Sequence, residues 1–245
     1  MAGQKKDGKA APDKSLWERL EQPAAAPRAS LSLERIGAVA VRVADAEGFA
    51  AVTMRRLATE LGVAPMAAYR HVSGKDDLWA LMAERVAAEH RIPDELTEWR
   101  EVLHAFAVLT REMMLRHPWV GQLPTALFVL TPGRMAIAER QLAALDGLGL
   151  DEDTMMTVFR TVSAYAHGAA SSETALREWT QAEGWSSGDE TRMGLAPQMT
   201  YLMGTGRYPT YRRYGLRARR KDDATWMFET GLACVLDGIA ARFGI

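Results

Sequence analysis

The stretch Thr53–Lys75, TMRRLATELGVAPMAAYRHVSGK, limits what this chain can fold into more than any other, because it reads as two short helices joined by a tight turn. Thr53 is an N-cap residue whose hydroxyl can accept from a first-turn N–H. Leu57, Ala58 and Leu61 recur at i, i+1 and i+4 and give one apolar face over about two turns. Gly62 follows where the chain leaves the helix and a left-handed conformation is favoured. Val63 can fill the corner. Pro65 fits a first helical turn, where its missing N–H has no intrahelical partner to lose. The second helix then opens with Ala64, Pro65, Met66 and Ala67 and closes with Tyr69, Arg70 and His71.

This is the spacing of a helix-turn-helix, whose second helix enters the DNA major groove with its N-terminal residues leading. An ordinary helical hairpin shares the Ala58-x-x-Leu61-Gly62-Val63 core, so spacing alone leaves both readings open. Charge separates them. Thr53–Lys75 carries Arg55, Arg56, Arg70 and Lys75 against the single acid Glu60, with Tyr69 and His71 alongside, an excess that suits phosphate contact. The chain as a whole has a formal net charge of −1, so affinity for nucleic acid must come from this local patch.

Other chemistry finds no support. Cys234 is the only cysteine, which excludes an intrachain disulfide framework and a Cys-cluster metal site; it is expected to pack as a small apolar residue in the last helix. No zinc-ligand spacing, Gly-rich phosphate loop or G-x-S-x-G elbow occurs. The histidines at 71, 90, 104, 117 and 167 are scattered, and His104 and His167 read as core residues of apolar helices, with a ligand-binding role as the other reading. Asp151/Asp153 and Asp222/Asp223 stand at helix starts, where the macrodipole accounts for them. No catalytic residue, metal or cofactor is expected. With no apolar run near 18 residues and no signal core, neither is a membrane span, and the chain is expected in the cytoplasm.

Residues 1–30 are rich in Ala, Lys, Pro and Gly and read as a flexible arm. Its island Ser15–Leu20 reads as a fleeting helical turn, or as part of an arm that docks on the protein or tracks the DNA minor groove. Ser32 caps a first helix with Ile36, Val39, Ala40 and Val43 on one face, ended by Gly48. After the turn Ser73-Gly74-Lys75, a helix with Leu78, Leu81, Met82 and Val86 reaches roughly His90. Beyond Asp94 come helices with stripes Trp99–Met113 and Met135–Leu145, a long helix opened by Asp151, and a last helix over 222–243. The long helix has a small-residue middle (Ala164, Gly168, Ser171) that lets another helix approach closely. Residues 184–200 read as a connection leading to a short helix. The segment 207–221, with seven basic residues, no acid and three tyrosines, reads as a solvated loop, or less simply as a single-strand nucleic-acid segment.

Residues 31–90 resemble the DNA-binding domain of the tetracycline-repressor (TetR) family of bacterial transcriptional regulators. The resemblance is carried by Leu31-Ser32-x-Glu34-x-Ile36, Ala44-Asp45-x-Glu47-Gly48, Thr53–Ala58, Leu61-Gly62-Val63 and, most specifically, Tyr69-Arg70-His71-Val72-x-Gly74-Lys75-Asp76-x-Leu78. A looser likeness continues to residue 243 through Phe228-x-x-Gly231-Leu232-x-x-x-Leu236. Beyond the arm at 1–30, it implies an all-α fold with a helix-turn-helix domain at 31–90 and a helical ligand-binding and dimerisation domain at 91–245. It further implies that Thr53, Arg55, Tyr69, His71 and Lys75 hold the DNA backbone, with Arg56 and Arg70 in the same patch, while Ala64, Pro65, Met66 and Ala67 face bases. Because that leading edge is small and apolar, thymine-methyl contacts, Arg55 and DNA shape should carry much of the readout.

The expectation is therefore a homodimeric repressor on a palindromic operator, released by a small-molecule effector. The long and last helices would pair across the dimer. Met114, Trp119, Phe128, Met135, Phe159 and Tyr165 would wall a pocket for an apolar or aromatic ligand. A ligand-independent regulator or activator, and a small-molecule binding protein with a vestigial head, are the other readings.

Overall fold

A computed structural model describes residues 15–20, 31–124 and 130–245. All regular structure among the described residues is helical, and none of their helices is long and apolar enough to cross a membrane. The chain divides into two compact units, one of Met1–Glu89 with Gln122–Met135, the other of His90–Gly121 with Ala136–Ile245.

In the first unit the helices are α1 (Leu16–Leu20), α2 (Leu33–Glu47), α3 (Met54–Leu61), α4 (Pro65–Tyr69) and α5 (Lys75–Ala87). Ser32 accepts from the Arg35 N–H at 3.1 Å and so starts α2; Gly48, at φ 87°, ends it. The apolar faces expected for α2 and α5 meet, and Ile36, Leu57, Val72, Leu78, Met82 and Val86 are almost wholly buried between α2, α3 and α5. Gly37 allows α2 and α5 to lie close, since a Cβ there would stand 3.3 Å from the Leu81 carbonyl oxygen. The island at Ser15 is more than a fleeting turn. It forms α1, with Leu16 buried.

The second unit is built on α6 (Trp99–Arg116), α8 (Glu152–Ala182) and α11 (Ala224–Phe243), each packed on the other two. Between α6 and α8, α7 spans Pro132–Leu145. Local caps mark these helices as expected: Thr131 Oγ1 accepts from the Arg134 N–H (3.3 Å), Asp151 from Thr154 (2.7 Å) and Asp223 from Trp226 (2.9 Å). Leu103, Phe106, Leu145, Val162 and Leu232 fill the core. Arg111 of α6 clamps Glu173 of α8 through two bonds of 2.7 and 3.1 Å, with both side chains mostly buried.

Four expectations are corrected. The connection at 184–200 is mostly a 17-residue helix, α9 (Gly188–Gly204), because Ser187 caps it and the Glu190 carboxylate accepts from the Ser186 hydroxyl. The basic loop at 207–221 contains α10 (Pro209–Arg217), with proline in the first helical position where its missing N–H costs nothing. Neither α9 nor α10 has a buried residue. Cys234 is exposed on α11 rather than packed, because Phe228, Leu232, Leu236 and Ile239 form the inward stripe and leave it on another face. Met135, placed on an apolar stripe by spacing, is exposed, whereas Ile137 and Leu145 are buried.

Candidate nucleic-acid interface and ligand groove

Local bonds set the helix-turn-helix. Thr53 Oγ1 accepts from the Arg56 N–H at 3.2 Å and begins α3. Gly62 adopts the left-handed conformation (φ 69°), its N–H reaching the Thr59 carbonyl at 3.2 Å and the Val63 N–H reaching Ala58 at 3.0 Å. That pair of bonds is a Schellman ending, and it turns the chain sharply enough for α4 to start at Pro65. Leu57, Ala58 and Leu61 point into the core, while Val72, wholly buried, pins the chain just after α4. The helix closes at Tyr69, two residues earlier than the spacing implies, and Arg70 and His71 form the turn that follows.

This scaffold leaves an open surface. Ala64, Met66, Tyr69 and Arg70 are exposed, Met66 by 71%, and Ala67 and His71 are half-buried. Thr53, Arg55 and Lys75 are exposed too, with Lys75 at the first position of α5. Among the described residues no acid pairs with Arg55, Arg70 or Lys75, so their charge is available to a phosphate.

Arg56 is placed differently. Its guanidinium binds Glu47 at the end of α2 (Nη2–Oε1 2.6 Å) and Glu60 one turn along α3 (Nη1–Oε2 2.7 Å). The hydrogen bonds that Arg56 donates to Glu47 and then to Glu60 raise its pKa, and the first of them holds the Glu47 carboxyl below its ordinary range. Arg56 thus ties α3 to α2. The cationic surface is carried by its neighbours.

In the second unit, Met114 and Trp119 are buried, while Phe159 and Tyr165 are half-buried. The Phe159 ring lies 6.5 Å from Phe106, and Tyr165 donates to the Phe228 carbonyl at 2.6 Å. Met135 is exposed, at the end of the segment grouped with the first unit; Phe128 lies outside the described residues. An open groove of about 450 Å³ lies instead between α6 and α11. Leu96, Ala105, Ala233 and Leu236 give it an apolar lining, and Arg100, His104 and Glu229 a polar one. His104 Nε2 stands 2.7 Å from Glu229 Oε2, and Arg100 pairs with Asp237. By spacing His104 reads as a core residue. Its partner is 125 positions away, and no local pattern announces it. No group of three His, Cys, Asp or Glu able to hold a metal ion occurs among the described residues.

Comparison with known proteins places this geometry. A family model described as "Bacterial regulatory proteins, tetR family" matches residues 36–82, and one described as "Tetracyclin repressor-like, C-terminal domain" matches residues 92–243. The HTH-type transcriptional repressor DrrR1 of Streptomyces coeruleorubidus is 32% identical over 91% of this chain and 83% of its own length. The structure of ActR from Streptomyces coelicolor in complex with actinorhodin superposes with a TM-score of 0.71 at 25% identity, covering 88% of this chain and 98% of ActR. BioQ of Mycobacterium smegmatis gives a TM-score of 0.61 at 25% identity over 86% of this chain and 99% of BioQ. The model for the C-terminal domain alone spans more than half the sequence, and the one for the regulatory head falls on the helix-turn-helix just described: the chain belongs to the TetR family of bacterial regulatory proteins.

Proposed function

We propose that this protein is a homodimeric transcriptional repressor that holds a palindromic operator through α4 and its flanks and lets go when a small apolar or aromatic effector binds. The observation that carries the reading is the exposed set Arg55, Tyr69, Arg70 and Lys75, whose cations meet no acid among the described residues, around a recognition helix whose leading residues are small. In this arrangement Thr53, Arg55, Tyr69, His71 and Lys75 grip phosphates, and Ala64, Pro65, Met66 and Ala67 meet base edges. Arg56 acts by bracing α3. Repression is favoured by the likeness to DrrR1, and effector control by the likeness to ActR, which was solved with actinorhodin.

Residues 31–90 serve as the head and 91–245 as the effector-binding and dimerising part, with no catalytic role, acting on DNA in the cytoplasm. The exposed apolar residues of α8 (Met156, Leu176, Trp179) and α11 (Trp226, Met227) supply the faces that pair between protomers. Met114, Trp119, Phe159 and Tyr165 contribute to the effector pocket. Release requires an effector that prefers the conformer in which the two recognition helices no longer sit one DNA turn apart; equal affinity for both conformers shifts nothing.

Selection of bound sequences from a random duplex pool tests the reading. The parent should recover a palindrome, and the Tyr69→Ala/Lys75→Ala variant should lose it. Random sequence from both would overturn the reading.

A further inference from the structure

Between α4 and α5 the chain has no helix at residues 70–74, and this stretch with Lys75 bears two of the proposed phosphate contacts, His71 and Lys75. Its backbone is held from outside. Asp77 Oδ2 accepts from the Ser73 N–H at 3.0 Å, and Arg19 Nη1 donates to the His71 carbonyl at 3.3 Å. Arg19 Nη2 meets the same Asp77 oxygen at 2.6 Å. One ion pair thus holds a backbone acceptor and a backbone donor on either side of Val72, whose side chain is wholly buried.

Arg19 stands 52 positions before His71, so α1 must be seated for these bonds to form. A helix of five residues is too short to persist alone. Ser15 and Glu18 stiffen it with reciprocal bonds, Ser15 N–H to Glu18 Oε2 at 2.7 Å and Glu18 N–H to Ser15 Oγ at 3.2 Å. Leu16 is buried and lies three residues before Arg19, on the same helix face. Helix α1 therefore docks through one face, with Leu16 as its apolar anchor and Arg19 as its polar one. The Arg19 and Asp77 side chains are only 31% and 23% exposed, so water and salt screen them less than an ordinary surface pair.

We propose that Arg19 is a positioning residue for DNA binding: with Asp77 it fixes the backbone of residues 71–75, so that His71 and Lys75 meet phosphate already in place. The proposal rests on the DNA-binding reading above. Arg19 itself touches no DNA, because its charge is taken by Asp77. A turn that must be ordered when DNA arrives lowers affinity by the cost of ordering it, and a turn fixed beforehand does not. Without the brace the same phosphate contacts still form, only at that cost.

The test titrates the full-length chain against the selected palindromic duplex at several salt concentrations. Arg19→Ala should weaken binding about 2–10-fold per half-site and leave the salt slope unchanged. A direct phosphate contact would instead make the slope shallower by about 0.9 per protomer. In a Lys75→Ala background, where less remains to be positioned, Arg19→Ala should weaken binding by a clearly smaller factor. A merely structural role for Arg19 would give the same factor in both backgrounds. Arg19→Lys, which can keep the Asp77 pair but not both bonds, should fall between parent and Arg19→Ala, and it serves the same cycle if the alanine variant unfolds. Parental affinity for Arg19→Ala, a shallower slope, or equal factors in the two backgrounds would overturn the proposal and leave the DNA-binding reading intact. A parent that bound no selected duplex would overturn both.

Discussion

Tyr165 of α8 passes its phenol over Gly231 of α11 to reach the Phe228 carbonyl at 2.6 Å. A Cβ at position 231 would stand 2.9 Å from Tyr165 Cζ and 3.0 Å from Cε2, nearer still to the hydroxyl. The ring cannot retreat freely, because it also packs at 5.7 Å on Phe228. Gly231→Ala should therefore destabilise by about 1–3 kcal/mol through overpacking, outweighing the helix-propensity gain of alanine. Tyr165→Phe in that background should recover part of the loss, since the nearest atom is removed. Thermal unfolding of the single and double variants checks this; a raised midpoint for Gly231→Ala would contradict it.

The Arg111–Glu173 clamp joins α6 to α8 where both side chains are mostly buried. Removing one charge strands the other, so Glu173→Leu should cost about 3 kcal/mol, whereas Arg111→Met/Glu173→Leu should return most of it. Arg177 also pairs with Glu173 but is largely exposed and adds little. Denaturant titration of both variants measures the difference.

Acid should loosen the head through Asp77. Burial pushes its carboxyl up, but the Ser73 bonds and Arg19 outweigh that and hold it below its ordinary range. A depressed carboxylate contributes stability that is fully present above its unfolded value, about 3.9, and is lost as pH falls through the folded value. The stability gap between parent and Asp77→Asn should accordingly be flat above about pH 5 and close below pH 4. Urea unfolding across pH 3–7 reads it, and a gap that widened in acid would rule the linkage out.

Lys75 should behave as a phosphate contact. Its replacement by alanine is expected to weaken all duplexes about equally and reduce the salt slope by about 1 per protomer. Met66→Ala, in contrast, should change relative preference among sites and leave the slope alone. Anisotropy titrations at several salt concentrations distinguish the two.

Gly168 lies on the small-residue face of α8, and a Cβ there meets nothing within 4 Å in one chain. Gly168→Arg should therefore leave the unfolding of the isolated protomer little changed but block a helix from packing on that face. Light scattering should show a shift from dimer to monomer. A dimer that persisted would put the interface elsewhere.

What the sequence determined by itself is local. Ser32, Thr53, Asp151 and Asp223 cap helices through bonds spanning three residues, Gly62 ends one in the left-handed region, and 3.6-residue periodicity orients Leu57, Phe106 and Leu232 inward. These signals sit within one or two turns of chain, so the helix-turn-helix and the all-α class are legible in the order of residues alone. The helix at α9 is not, because Gly188, Gly194 and Pro197 resemble a loop, and only its Ser187 cap argues otherwise.

What only the tertiary structure decided is which charges are free and which are spent. Arg55 and Arg56 are neighbours of identical type, yet Arg56 faces Glu47 across a helix crossing and Arg55 faces solvent. Arg19 meets Asp77 58 positions away, and His104 meets Glu229 125 positions away. Pairings of that kind depend on where helices cross, which is fixed by how buried side chains interlock over the whole unit. The same crossings put Cys234 on an exposed face.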